Sequence, residues 1–257
     1  MRRFTLNELL IIGAILCLAA ALAIPAFAKI YASTKSTICQ DRLLLIAKAN
    51  ILYAADNRRY APAAPSDSIR WHGVRDGKGF APEKGPLHKY ISKGGKIEDC
   101  PLVKDLMGSP SPLSREPGGW GYGYNENIGS LRYTETNADY WSPAVKALGL
   151  EPKTIKKPSS TAMFTETATL VDEKGETYIH GKLAEYAFCH SFSLVNRGKD
   201  AWASQEPTIH FRHQNRANAV WIDGHLSKEL MRFSKDGWSQ ERLGFFGPQD
   251  NSLFDPY

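Results

Sequence analysis

The sequence predicts an α+β protein: a long N-terminal helix, transmembrane in its lower half and amphipathic in its upper half, packed on a mainly antiparallel β-sheet head with extensive loops. Three observations carry this. Residues Leu9–Ala28 form a run of 20 without a charge. Helical periodicity then continues to Asn57. Beyond it, short β-rich runs alternate with Gly, Pro and Ser-rich turns.

At about 1.5 Å per residue the charge-free run spans a hydrocarbon core of about 30 Å. Met1-Arg2-Arg3 place positive charge ahead of it, which predicts a cytoplasmic N-terminus and a periplasmic or cell-surface head in a single-pass protein of the cytoplasmic membrane. A cleaved secretory signal is the local competitor, with Ala26-Phe27-Ala28 as its small-residue site. Against it, the basic stretch is short and Glu8 stands at the mouth of the apolar run, where an unpaired carboxylate is costly.

Phe4-Thr5-Leu6-Asn7-Glu8-Leu9-Leu10, followed by the apolar helix, resembles the opening of type IV prepilins and type II secretion pseudopilins. The resemblance implies a leader of residues 1–3, cut between Arg3 and Phe4 by a prepilin peptidase that also methylates the new amine. It implies that Glu8 is the assembly glutamate, neutralising a neighbouring subunit's N-terminal ammonium in the membrane. Pro25 matches the helix-kinking proline common in pilins. The sequence departs from the family at Arg3, where Gly is usual, and at Asn7, where an aliphatic residue is usual.

The N-terminal helix is expected over residues 4–57, with its membrane span at about 9–28. Ile38, Leu45 and Leu52, seven apart with Ala49 between them, make one apolar stripe, and Lys35, Asp41, Arg42 and Lys48 lie off it. Asp56-Asn57 and then Tyr60-Ala61-Pro62 end the helix. Residues 58–257 form the head. In Gly119-Trp120-Gly121-Tyr122-Gly123-Tyr124-Asn125 the aromatics fall on one face of a strand with close backbone packing; the two readings are a core ridge or a stacking platform for a glycan. Thr161–Val171 and Ala219–Asp223 are rich in β-formers, and Asp223-Gly224 before Leu226–Leu230 signals a two-residue hairpin.

His213, nine intervening residues and Asp223-Gly224 resemble the prepilin-processing-associated H-X9-DG domain. Asp99-Cys100-Pro101, Tyr124-Asn125-Glu126-Asn127 and Lys157-Pro158-Ser159-Ser160-Thr161 fall in an order that also resembles those proteins. A metal or acid/base site built from His213, Asp223 and His225, with His210, is chemically conceivable. The structural alternative is favoured: Asp223 serves the turn, and His213 donates to a loop carbonyl. No HExxH, GxSxG, phosphate-cradling loop or CxxC pair occurs, so neither enzyme nor resident cofactor is expected. Calcium enters only through the oxygen-rich tail of Asp250, Asn251 and Asp255, a placement suggested by the calcium loop of major pseudopilins.

The formal charge of +5 is dispersed, and loss of Arg2 and Arg3 would lower it to +3, so no nucleic-acid partner is expected. With Cys17 in the apolar run and Cys39 on the long helix, the bridge to test is Cys100 with Cys189; free buried thiols are the alternative. The expected function is a pilin-like or pseudopilin-like subunit that polymerises through its helix with copies of itself or related subunits. The alternative is a membrane-anchored glycan-binding module using residues 119–125, Trp141 or Trp202.

Overall fold

A computed structural model describes residues 5–77, 79–91, 97–107, 116, 119–130, 148–174, 176–193 and 205–257. Arg3 and Phe4, like Trp141 and Trp202, lie outside them. The fold is α+β. Helix α1 runs Leu6–Asn57, 52 residues without a break and with Pro25 inside it, about 78 Å by helical rise. It begins on a capping box: Thr5 Oγ1 accepts from Glu8 N at 3.3 Å, while the Glu8 carboxylate accepts from Thr5 N at 2.7 Å. That arrangement satisfies orphan N–H donors at a helix start. It ends at Arg58, whose left-handed φ of 60° stops the helix.

The large apolar side chains of α1 are exposed from Leu6 to Tyr31. Above that point Ser36, Cys39, Leu43, Ile46, Ala47, Asn50 and Ala54 are buried, spaced three or four apart as a helix face requires. The stripe expected from sequence holds only in part: Ala49 is buried and Ile38 half-buried, but Leu45 and Leu52 remain 45% and 54% exposed. The docked face mixes the large Leu43 and Ile46 with the small or polar Ser36, Cys39, Ala47 and Asn50, so aliphatic content alone does not mark it. Polar contacts fix the docking: Lys35 Nζ to Asp105 at 3.1 Å, Arg42 to Glu98 and the Asp99 carbonyl, and Asn50 Oδ1 accepting from Ala61 N at 2.9 Å.

The head begins with three short antiparallel strands, β1 (Ile69–Arg70), β2 (Gly73–Asp76) and β3 (Gly79–Ala81). A short helix, α2 (Pro101–Met107), follows. The main sheet draws on β4 (Tyr122–Asn125), β5 (Ala162–Glu166), β8 (Phe188–Cys189), β10 (Arg216–Trp221) and β11 (Leu226–Leu230), in the order β11-β10-β5-β4-β8. All its pairings are antiparallel except β4 with β8. A four-residue helix, α3 (Glu126–Gly129), follows β4, capped by the Asn125 side chain. Two-stranded pairs β6 (Thr169–Val171) with β7 (Lys182–Ala184), and β9 (Ile209–His210) with β12 (Leu243–Gly244), complete the described strands. The upper part of α1 packs on β5 and β10.

The aromatic segment is core. Trp120, Tyr122 and Tyr124 are all buried; Tyr124 stacks on Phe164 at 4.6 Å, and Trp71 sits edge-on to both. A glycan platform needs exposed ring faces, so residues 119–125 do not supply one. Gly123 has the reason the sequence suggested: a Cβ there would fall 2.4 Å from Thr167 Cγ2 and 2.6 Å from the Phe188 backbone.

Candidate functional site at the junction of the long helix and the head

The H-X9-DG segment is two turns with a strand between them. His213 N and O both bond Arg216, at 3.0 and 3.1 Å, across Gln214 and Asn215, whose φ values are 55° and 62°. Two consecutive positive φ angles define the tight turn that matches strand twist. The two-residue turn is therefore here, before β10, and not at Asp223-Gly224. At the far end Val220 pairs Leu226, Trp221 N bonds His225 O, and Gly224 N bonds Trp221 O. That leaves a three-residue loop, with Gly224 at φ 89°, where glycine meets no Cβ penalty. Asp223 stays in its expected turn role: its Oδ1 accepts from His225 N at 3.1 Å and faces His225 Nδ1 at 2.6 Å.

His213 and Asp223 thus occupy opposite ends of β10, about 20 Å apart by strand rise. They share no site, and His225 stays with Asp223 on the exposed loop. His210 turns to Arg212, its Nδ1 3.2 Å from the guanidinium. Nor does His213 donate to a loop carbonyl. Its Nε2 lies 2.7 Å from Glu166 Oε1 and 3.6 Å from Cys100 Sγ.

This brings together a cluster that the sequence reading missed. Cys39 (α1), Cys100 (immediately before α2), Glu166 (the end of β5) and His213 (the turn before β10) are all buried, with their donor atoms within 4.8 Å of one another. Among the described residues no other group of three or more His, Cys, Asp or Glu side chains is so arranged. Cys100 Sγ faces Cys39 Sγ at 2.8 Å. The expected Cys100–Cys189 bridge is not formed: Cys189 lies on β8 in a separate apolar cluster with Phe211 and Phe246. The helix does not remove Cys39 from the head, because the head docks on the very face that carries it.

The cluster is wired to α1 and to the sheet. Asn218 on β10 donates its N to Glu166 Oε2 at 2.9 Å and its Nδ2 to Glu166 Oε1 at 3.1 Å, and meets Ser36 Oγ at 3.3 Å. Arg212, buried beside it, donates to the Thr167 carbonyl at 3.1 Å and to the Gly121 carbonyl. The electrostatics follow from these neighbours. Burial works against a charged His213, yet Cys100 and Glu166 raise its pKa to about 9. Burial alone would raise the Cys100 thiol, but Cys39, Arg212 and His213 hold it well below its ordinary value. Burial and the facing Cys100 push Cys39 upward.

The tail residues are occupied locally. Asp250 Oδ1 accepts from Ser252 N at 2.8 Å, Asn251 is tied to Ser193, and Asp255 Oδ1 accepts from Tyr257 N at 3.0 Å. Lys157 shares their surface pocket.

By fold and site, then, this is an α+β protein whose N-terminal helix is long and apolar enough to cross a membrane, with a head clamped to the upper half of that helix. Comparison with family models, curated proteins and solved structures finds no match in any of the three.

Proposed function

We propose that the chain is a pilin-like or pseudopilin-like structural subunit. In this reading a prepilin peptidase cuts between Arg3 and Phe4, and the chain assembles through α1 with copies of itself or related subunits, into a pilus or a type II secretion pseudopilus. The observation that carries the reading is the division of α1: one unbroken helix with an exposed apolar lower half and an upper half docked under the head. Exposed apolar surface of that extent needs a cover. Lipid covers it first, and neighbouring helices cover it in the filament. Leu45 and Leu52 extend apolar surface along the undocked side of the upper half.

Glu8 has two separable roles in this reading. Its carboxylate closes the capping box with Thr5, and its charge meets a neighbour's N-terminal ammonium. Glu8→Gln separates them, since glutamine also closes a capping box but carries no charge. The experiment compares wild type, Glu8→Gln and Glu8→Val for membrane content and for filaments in the sheared fraction. All three are expected in the membrane, with filaments lost in both variants. Wild-type filament yield from Glu8→Gln would overturn the assembly role.

A further inference from the structure

Four elements that are distant in sequence each send one donor atom to the same buried point. We propose that Cys39, Cys100, His213 and Glu166 form a structural zinc site that clamps the long helix to the head.

The donor set favours this metal. Two thiolate sulfurs, an imidazole nitrogen and one carboxylate oxygen suit a borderline-soft ion, whereas calcium and magnesium take oxygen alone. The donor atoms, Cys39 Sγ, Cys100 Sγ, His213 Nε2 and a Glu166 carboxylate oxygen, lie within 4.8 Å of one another. Zinc bonds of roughly 2.0–2.3 Å set tetrahedral ligands about 3.3–3.8 Å apart. The 2.8 Å separation of the sulfurs and the 2.7 Å separation of His213 from Glu166 therefore open by about 1 Å or less, a rotamer-scale adjustment.

Charge and surroundings agree. Binding takes Cys39 and Cys100 as thiolates and His213 as the neutral imidazole, and every proton displaced from these ligands, the imidazolium proton included, passes to solvent. Two thiolates and a carboxylate then face a divalent ion and the buried Arg212 guanidinium, and the pocket is neutral. Outer partners hold the ligands in place: Asn218 bonds both Glu166 oxygens, and Arg212 is fixed by the Thr167 and Gly121 carbonyls. Such partners orient ligands in zinc centres. All four ligand residues are buried, so no coordination position opens to solvent and the role is structural, not catalytic. A Cys39–Cys100 disulfide would use the two sulfurs, but would give no reason for an imidazole and a carboxylate to face the same point.

The test uses the full chain, extracted in detergent without reductant or chelator, given one equivalent of zinc chloride and desalted. The expected result is one zinc per chain by elemental mass spectrometry, with all four cysteines titrating as thiols once the protein is denatured with chelator. Cys100→Ser and His213→Ala should abolish retention, and Cys189→Ser should keep it. Because a ligand variant can fail to fold, cobalt replaces zinc in the wild-type chain as a second readout. A thiolate-to-cobalt charge-transfer band with tetrahedral d–d absorption is expected. Three results would each overturn the proposal: zinc retained no better than by Cys100→Ser, a cobalt spectrum without the thiolate band, or an isolated chain two hydrogens lighter in mass with Cys39 and Cys100 in one linked peptide.

Discussion

Glu166 Oε1 and His213 Nε2 lie 2.7 Å apart with both side chains buried, joining the end of β5 to the turn before β10 directly beneath the long helix. Removing one member of a buried pair leaves the other uncompensated, typically at about 3–5 kcal/mol. Glu166→Ala also strips the acceptor from both Asn218 donors. It is expected to cost at least about 3 kcal/mol in chemical denaturation and to increase protease cleavage between α1 and the head. A loss below about 1 kcal/mol would contradict the role given to the pair.

The turn at Gln214-Asn215 holds His213 in place under strain. Gln214 adopts φ 55°, a region that L-residues enter at roughly 1–2 kcal/mol, whereas Asn-Gly favours this turn type. The double change Gln214→Asn with Asn215→Gly is therefore expected to stabilise the protein by about 1 kcal/mol, read as a raised melting temperature. An unchanged or lowered value would mean that the turn does not have this geometry in solution.

His72 sits in an aromatic nest of Trp71, Phe80 and Trp120. Burial, aided by Arg70 and Arg75, drops its pKa from 6.5 to about 3. A depressed pKa means the folded state refuses a proton that the unfolded state accepts. Its contribution is therefore complete above pH 6.5 and declines as pH falls toward 3. Between pH 7.5 and pH 5 the wild type should lose about 2 kcal/mol more than His72→Phe. Parallel stability curves for the two proteins would refute this.

Gly123 packs β4 against β8 at backbone contact. Gly123→Ala should cost about 1–3 kcal/mol by overpacking. Adding Thr167→Ser, which removes the nearest methyl at 2.4 Å, should recover only part of it, because the Phe188 backbone at 2.6 Å remains. Denaturation midpoints of the single and double variants measure both.

What was legible in the sequence was local. A 20-residue apolar run, an Asp-Gly turn signal and the β-formers of 219–223 and 226–230 each report on neighbouring residues, and the long helix and the β10–β11 hairpin followed from them. The buried face of α1 was read only in part, because the seven-residue spacing of Leu45 and Leu52 outweighed a docked face on which Leu43 and Ile46 alternate with Ser36, Cys39 and Asn50. The cluster was not legible at all. Cys39 and Cys100 are 61 residues apart, and Cys100 and His213 are 113 apart; no spacing rule links them.

The central claim is that the N-terminus is processed so that α1 can assemble. The direct test is mass spectrometry of the chain extracted from its native membrane. The account predicts a protein beginning at N-methylated Phe4. A chain still starting at Met1, or one starting after Ala28, would contradict it.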